Sequence, residues 1–188
     1  MTIGVAGKYC AGKNAVCAIL ERLGWTIIDL DLLGREELSH KSNEVVRVFG
    51  ADIVGADGQI NRKALGRLVF SDKSKLARLE SMTHPGMKAR ALELRESAEK
   101  TVLNAAILHK LGLAGSCDAI FWVKAPLRTR IARARKRDGL GILQILSRIW
   151  AQRKLLPKHL GPDADIYIIW NDGKGDLSCA VPEILNSI

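Results

Sequence analysis

Aromatic residues make up only 5% of this 188-residue chain, and its four cysteines, Cys10, Cys17, Cys117 and Cys179, never form a CxxC pair. The first scarcity leaves no evident stacking platform for single-stranded nucleic acid. The second argues against a zinc site or a disulfide framework, so reduced thiols and a cytoplasmic setting are expected. No apolar run approaches the ~20 residues of a membrane helix. Residues 1–7 lack both the basic region and the long apolar region of a leader, so no membrane partner is expected. Internal repeats, low-complexity tracts and linkers rich in Pro and Ser are also missing. What remains is 47% hydrophobic and 26% charged. That is the balance of an ordinary globular protein of one domain, or of a core with two small appendages.

Acidic residues are nearly absent from one segment. Residues 124–158 hold 11 basic side chains and Asp138 as the one acid, whereas the rest of the chain has a net charge of −1. Charge concentrated in this way suits a compact polyanion such as a nucleotide better than a nucleic-acid duplex, which favours a spread stripe. A solvated basic surface is the competing reading.

Five short apolar runs read as buried strands: residues 2–6, 25–28, 101–107, 119–123 and 166–170. Helical patterns fill the intervals. Strands apolar on both faces and alternating with helices predict an α/β fold with a parallel sheet. Residues 35–98 read as helical apart from a turn at 55–58, more helix than one crossover needs. Residues 127–160 read as two further helices broken at 138–141, a flap over a phosphate site.

The first strand runs into Gly7-Lys8-Tyr9-Cys10-Ala11-Gly12-Lys13, the GxxxxGK spacing of a phosphate loop, and a helix follows. Glycines let backbone N–H groups turn toward phosphate oxygens, the helix N-terminus adds its dipole, and Lys13 reaches the outer phosphates. The hydroxyl that normally follows the lysine and holds Mg²⁺ is missing: Asn14 and Ala15 stand there. The Asn14 carboxamide oxygen, a hard neutral donor, is expected to take over that contact; the alternative is that metal binding here is weakened. Cys10, in the loop near a helix N-terminus, is a candidate for oxidation.

Further landmarks occur in order: Ile28-Asp29-Leu30-Asp31, Phe49-Gly50, Asp57-Gly58, Arg62 with Leu65, Val69-Phe70, His84-Pro85, Arg137-Asp138-Gly139, Arg148 with Gln152, and Ala164-Asp165 leading to Asn171-Asp172-Gly173. Together they make the chain resemble the dephospho-coenzyme A kinase family nearly end to end. The resemblance implies a P-loop kinase with a five-stranded parallel sheet. Its nucleotide-binding core would be residues 1–34, 99–126 and 161–188, its helical coenzyme A-binding subdomain 35–98 and its lid 127–160. It implies transfer of the γ-phosphate of ATP to the 3′-hydroxyl of dephospho-coenzyme A, with Mg²⁺. The partners would be these small molecules, with no nucleic acid and no membrane; the oligomeric state stays open.

By that resemblance ATP meets Gly7, Cys10, Ala11, Gly12, Lys13, Asn14, Ala15 and the lid arginine Arg137; Asn171 is a further ATP candidate, since its place after the fifth strand suits an adenine-contacting loop, although Asn-Asp-Gly is also an ordinary turn. Asp31 is the candidate base, with Lys13 and Arg137 as the other catalytic side chains. Asp29 and Asn14 are the candidate metal residues. Were the second strand to persist through Asp31, Asp29 and Asp31 would face one side; otherwise they cap a helix. Asp29, Asp31, Arg62 and His84 are candidates for the second substrate, Arg62 at its pyrophosphate. His84-Pro85 is expected to end one helix and begin another, with His84 meeting substrate or capping that turn. Arg133 and Arg137 share a helix face, whereas Arg128, Arg130, Arg135 and Lys136 are expected to be solvated. The chain departs from the family after its third strand, where Ala106-Ile107-Leu108-His109-Lys110 replaces Pro-Leu-Leu-Phe-Glu. Another small-molecule or nucleoside P-loop kinase, or a catalytically silent nucleotide binder, is the alternative.

Overall fold

The computed structural model describes residues 1–160 and 165–188; the Ala164 landmark lies outside them. Five strands, β1 (Thr2–Gly7), β2 (Thr26–Asp29), β3 (Thr101–Asn104), β4 (Ala119–Lys124) and β5 (Ile166–Trp170), form one sheet in the order β2-β3-β1-β4-β5. Every pairing is parallel. The central strand β1 is buried at every position, as is β3, which is why these strands read as unbroken apolar runs.

Two boundaries differ from the sequence expectation. The third strand stops at Asn104, not 107. Ala105 makes one more bond, donating its N–H to the Val5 carbonyl at 3.1 Å, and the chain then turns. Leu108 is fully buried in that turn, so an apolar run there marks a buried loop. The second strand ends at Asp29 and passes directly into α2 (Leu30–His40). Asp31 therefore lies in the first turn of a helix and does not share a strand face with Asp29.

The chain divides into two compact units, Met1–Asp29 with Leu94–Ile188, and Leu30–Glu93. In the first, α1 (Lys13–Arg22) and α8 (Leu177–Leu185) pack beside the sheet through Val16, Leu20 and Val181, with Val5, Phe121 and Ile169 from the strands. Each such side chain stabilises by about 1.5–3 kcal/mol through burial. The helices α6 (Leu127–Asp138) and α7 (Ile142–Ala151) belong to the same unit and bury Ala134 and Ile145 against Cys10. All four cysteines are free, and burial pushes the Cys17 and Cys117 thiols up to about 12.

The second unit is helical: α2, α3 (Ser42–Phe49), α4 (Arg62–Phe70) and most of α5 (Lys73–Glu96) surround Val45, Ile53, Leu65, Val69 and Met82. The Asn61 side chain caps α4, accepting from the Lys63 and Ala64 N–H groups at 3.1 Å each. His84-Pro85 does not divide two helices: Pro85 lies inside α5. A proline there removes one ladder bond and crowds the preceding turn. Burial of Met82 and Thr83 before it, and of Met87 and Ala91 after it, anchors the helix on both sides of the defect.

Candidate active site

The loop between β1 and α1 is shaped by close approaches that exclude side chains. A Cβ on Gly7 would lie 2.5 Å from the Val123 carbonyl oxygen of β4. Gly12 has φ +102° and opens α1, and a Cβ there would collide with the Asn171 amide. Cys10 has φ +57°, alone in that region among the non-glycine residues described. It is only 8% exposed, beneath Ala134 and Ile145, so burial opposes the oxidation expected of it. Lys13 and Asn14 begin α1, whose first turn carries no acid, so its dipole is left to an anion.

Side chains from α6 and from the segment after β5 hold this loop from outside. Arg133 donates from Nη1 to the Ala11 carbonyl at 3.1 Å and to the Asn171 carbonyl at 3.2 Å, and from Nη2 to Asn171 Oδ1 at 2.7 Å. Asn171, 6% exposed, donates Nδ2 to the Ala11 carbonyl at 3.2 Å. Both ends of its amide are thus engaged by the phosphate loop and its arginine.

Arg130 corrects an expectation. It is not solvated: it is 8% exposed, and Nε donates to the Tyr9 carbonyl at 2.8 Å. Burial lowers its pKa, and its charge, after burial, helps lower that of Lys8. Arg130, Arg133, Ala134 and Arg137 recur at i, i+3, i+4 and i+7, which is one helix face. That spacing was the available signal for Arg130 and Arg133.

Tyr9 is gripped from several directions. Its N–H donates to Gln152 Oε1 at 2.5 Å and its hydroxyl to Asp138 Oδ2. The guanidinium carbons of Arg137 and Arg148 lie 5.3 and 5.6 Å from its ring centre. Arg137 also donates to Asp138 from Nε at 2.7 Å and Nη2 at 3.1 Å, and Arg148 donates to the same carboxylate at 3.3 Å. The Arg137 bonds, then the Tyr9 hydroxyl, hold the Asp138 carboxyl down at about 2. Burial and the Asp138 bond raise the Tyr9 phenol, which stays protonated. Beside it, Lys8 Nζ donates to the Arg153 carbonyl at 3.2 Å.

On the opposite side of β1, Asn14 Oδ1 accepts from Asn104 Nδ2 at 3.3 Å. Strand register sets Asp29 of β2 beside Asn104 of β3. Among the described residues no group of three or more His, Cys, Asp or Glu side chains is placed to hold a metal. The donors here are amide oxygens and one carboxylate, hard oxygens that fit Mg²⁺. Asn104 escaped the sequence reading, although a polar residue inside an apolar run was its signal. Ala15 is exposed in the first turn of α1 and adds no side-chain donor.

The remaining candidates lie in the second unit. Asp31 occupies the first turn of α2, Arg62 is the first residue of α4, directly after its Asn61 cap, and His84 lies within α5.

A parallel sheet of this order, with a glycine-rich loop between β1 and α1 that closes on Lys13, defines a P-loop kinase. A family model described as Dephospho-CoA kinase matches residues 1–174. The curated dephospho-CoA kinase of Geobacter metallireducens is 41% identical over 162 residues, 81% of this chain and 80% of that protein. A solved structure from Thermus thermophilus superposes with a TM-score of 0.85 at 32% identity, covering 100% of this chain and 97% of the other. The dephospho-CoA kinase of Campylobacter jejuni shares the fold, with a TM-score of 0.69 at 21% identity over 99% of this chain and 96% of its own. The chain belongs to the dephospho-CoA kinase family.

Proposed function

We propose that the protein transfers the γ-phosphate of ATP to the 3′-hydroxyl of dephospho-coenzyme A, giving coenzyme A and ADP. The family match across residues 1–174 carries this reading. The arginine-braced loop from Gly7 to Lys13 supports it. Phosphoryl transfer needs in-line positioning and charge on the phosphate oxygens more than covalent help from the protein. The loop N–H groups and the N-terminus of α1 hold the phosphates, and Lys13 reaches the outer ones. Arg137 brings a forked donor to the transferred group. Asp31 accepts the proton of the attacking hydroxyl, and Arg62 and His84 bind the acceptor substrate.

Asn14 and Asp29 would hold Mg²⁺, which when bound neutralises charge between the β- and γ-phosphates. No described helix is long and apolar enough to cross a membrane; we assign the protein to the cytoplasm on its free thiols.

The test is coenzyme A formation from ATP and dephospho-coenzyme A, with and without Mg²⁺, beside shikimate and deoxyadenosine as competing acceptors. Coenzyme A as the product supports the reading. Preference for another acceptor overturns it, and ATP binding without turnover marks a silent nucleotide binder.

A further inference from the structure

Helix α7 buries one side and leaves a second apolar side uncovered. Ile145 and Ile149 pack with Cys10 and Ala134, and Arg148 turns to the Tyr9 ring. Leu143, Leu146 and Trp150 recur at i, i+3 and i+7, so they share a different face. They are 79%, 41% and 65% exposed. Large apolar side chains gathered on one helix face mark a partner, because a solvated face is ordinarily polar. The charge beside this face has one sign. Residues 139–158 hold Arg148, Arg153, Lys154 and Lys158 and no acid. Arg153, Lys154 and Lys158 follow the helix and are exposed. The Arg153 guanidinium carbon lies 4.2 Å from the centre of the Trp150 ring, so cation and apolar face form one surface.

We propose that the outer face of α7 docks on an anionic phospholipid surface, with Leu143, Leu146 and Trp150 entering the headgroup layer and Arg153, Lys154 and Lys158 meeting lipid phosphates. Charge complementarity selects this occupant. A second copy would bring together two segments of 11 basic side chains and one acid each, and like charges oppose that contact. A nucleic acid would use the basic residues and leave the apolar ones idle. A stable protein interface takes about 20–30 residues a side, more than the outer face of a ten-residue helix offers. A lipid surface uses both features: apolar side chains lie at the acyl boundary, tryptophan favours the headgroup level, and Lys and Arg meet anionic phosphates. The lack of a spanning helix among the described residues does not oppose this, because an interfacial helix lies in the plane of the membrane. Three apolar anchors make a weak, reversible contact.

The test is co-sedimentation of the full chain with vesicles of phosphatidylglycerol and phosphatidylcholine, beside vesicles of phosphatidylcholine alone. Saturating ADP keeps lipid phosphate out of the phosphate loop. The anionic vesicles should bind the protein at least about tenfold more tightly than the neutral ones. The double variant Lys154→Gln, Lys158→Gln should lose about tenfold or more, since each charge near an anionic surface is worth about fivefold. The double variant Leu143→Gln, Trp150→Gln should also lose about tenfold or more, because its apolar anchors are gone. All four side chains are exposed, so both variants should melt with the wild type. No binding to anionic vesicles overturns the proposal, as does equal affinity for the two compositions. Unchanged binding in Leu143→Gln, Trp150→Gln also overturns it, since charge alone would then hold the protein. Sedimentation equilibrium without lipid supplies the last arm. A monomer supports the proposal, and a dimer that Leu143→Gln, Trp150→Gln abolishes overturns it and gives the face to a second copy.

Discussion

Tyr9 in the phosphate loop donates its phenol hydroxyl to Asp138, the last residue of α6, and the same carboxylate receives Arg137 and Arg148. One acid, alone in a segment of 11 basic residues, ties the loop to two helices. The two arginines balance the charge of a carboxylate whose side chain is 17% exposed, and the phenol bond fixes the ring on which both arginines rest.

That arrangement makes stability depend on acid in a definite direction. The Asp138 carboxyl is lowered from its ordinary 3.8 to about 2, by Arg137 first and then by Tyr9. A depressed carboxyl stabilises the fold above the ordinary value, and the gain is lost as pH falls through about 2. Asp138→Asn should therefore melt below the wild type at pH 7 by roughly 2–4 °C, the shift that about 1 kcal/mol produces in a chain of this size. The gap should close between about pH 4 and pH 2. Scanning calorimetry at several pH values checks this, and a gap that does not vary with pH removes Asp138 from the argument.

Arg133 and Asn171 predict a second effect. Because Asn171 holds the Ala11 carbonyl and receives Arg133, its loss loosens the loop and not merely an adenine contact. Asn171→Ala should weaken ATP by about tenfold or more, as expected when a hydrogen bond to a charged group worth about 1.5–3 kcal/mol is removed. Inorganic triphosphate should weaken by the same factor. Isothermal titration of both ligands decides: a loss confined to ATP would return Asn171 to the adenine.

Asp31→Asn should lower turnover by about 10²–10⁴-fold, the usual worth of a general base. ATP affinity should change little, since the loop is untouched. Single-turnover kinetics beside ATP titration separates these quantities. Near wild-type turnover would pass the role of base to Asp29.

For Asn14 the informative measurement is a magnesium titration of turnover. Asn14→Ala should shift the curve to higher Mg²⁺ while metal-free ATP binding holds. Asn14→Ser and Asn14→Thr should keep substantial activity, because a hydroxyl can serve the cation from that position. Superimposed wild-type and Asn14→Ala curves would mean that Asn14 does not serve the cation.

What the sequence determined by itself is local. The apolar runs became five parallel strands; β1 and β3 are covered on both faces and carry few polar residues, whereas the edge strands β2 and β5, read as buried from the sequence, stay partly exposed. Gly7, Gly12 and Lys13 were legible because the phosphate loop is a run of consecutive residues whose spacing can be read without its distant partners. Tertiary structure decided the rest. Arg133 meets Asn171 across 38 residues, Asn14 meets Asn104 across 90, and Tyr9 meets Asp138 across 129. Sheet order brings β1, β3 and β4 side by side, and with them the loops that they end in. The sequence reading put Arg133 and Arg137 on one face and left Arg130 solvated, and only packing against Tyr9 showed that Arg130 belongs to that face and that the face is inward. Pro85 stayed inside α5 for the same reason: local chemistry opposes a helix there, and the side chains buried on both sides of it outweigh that local preference.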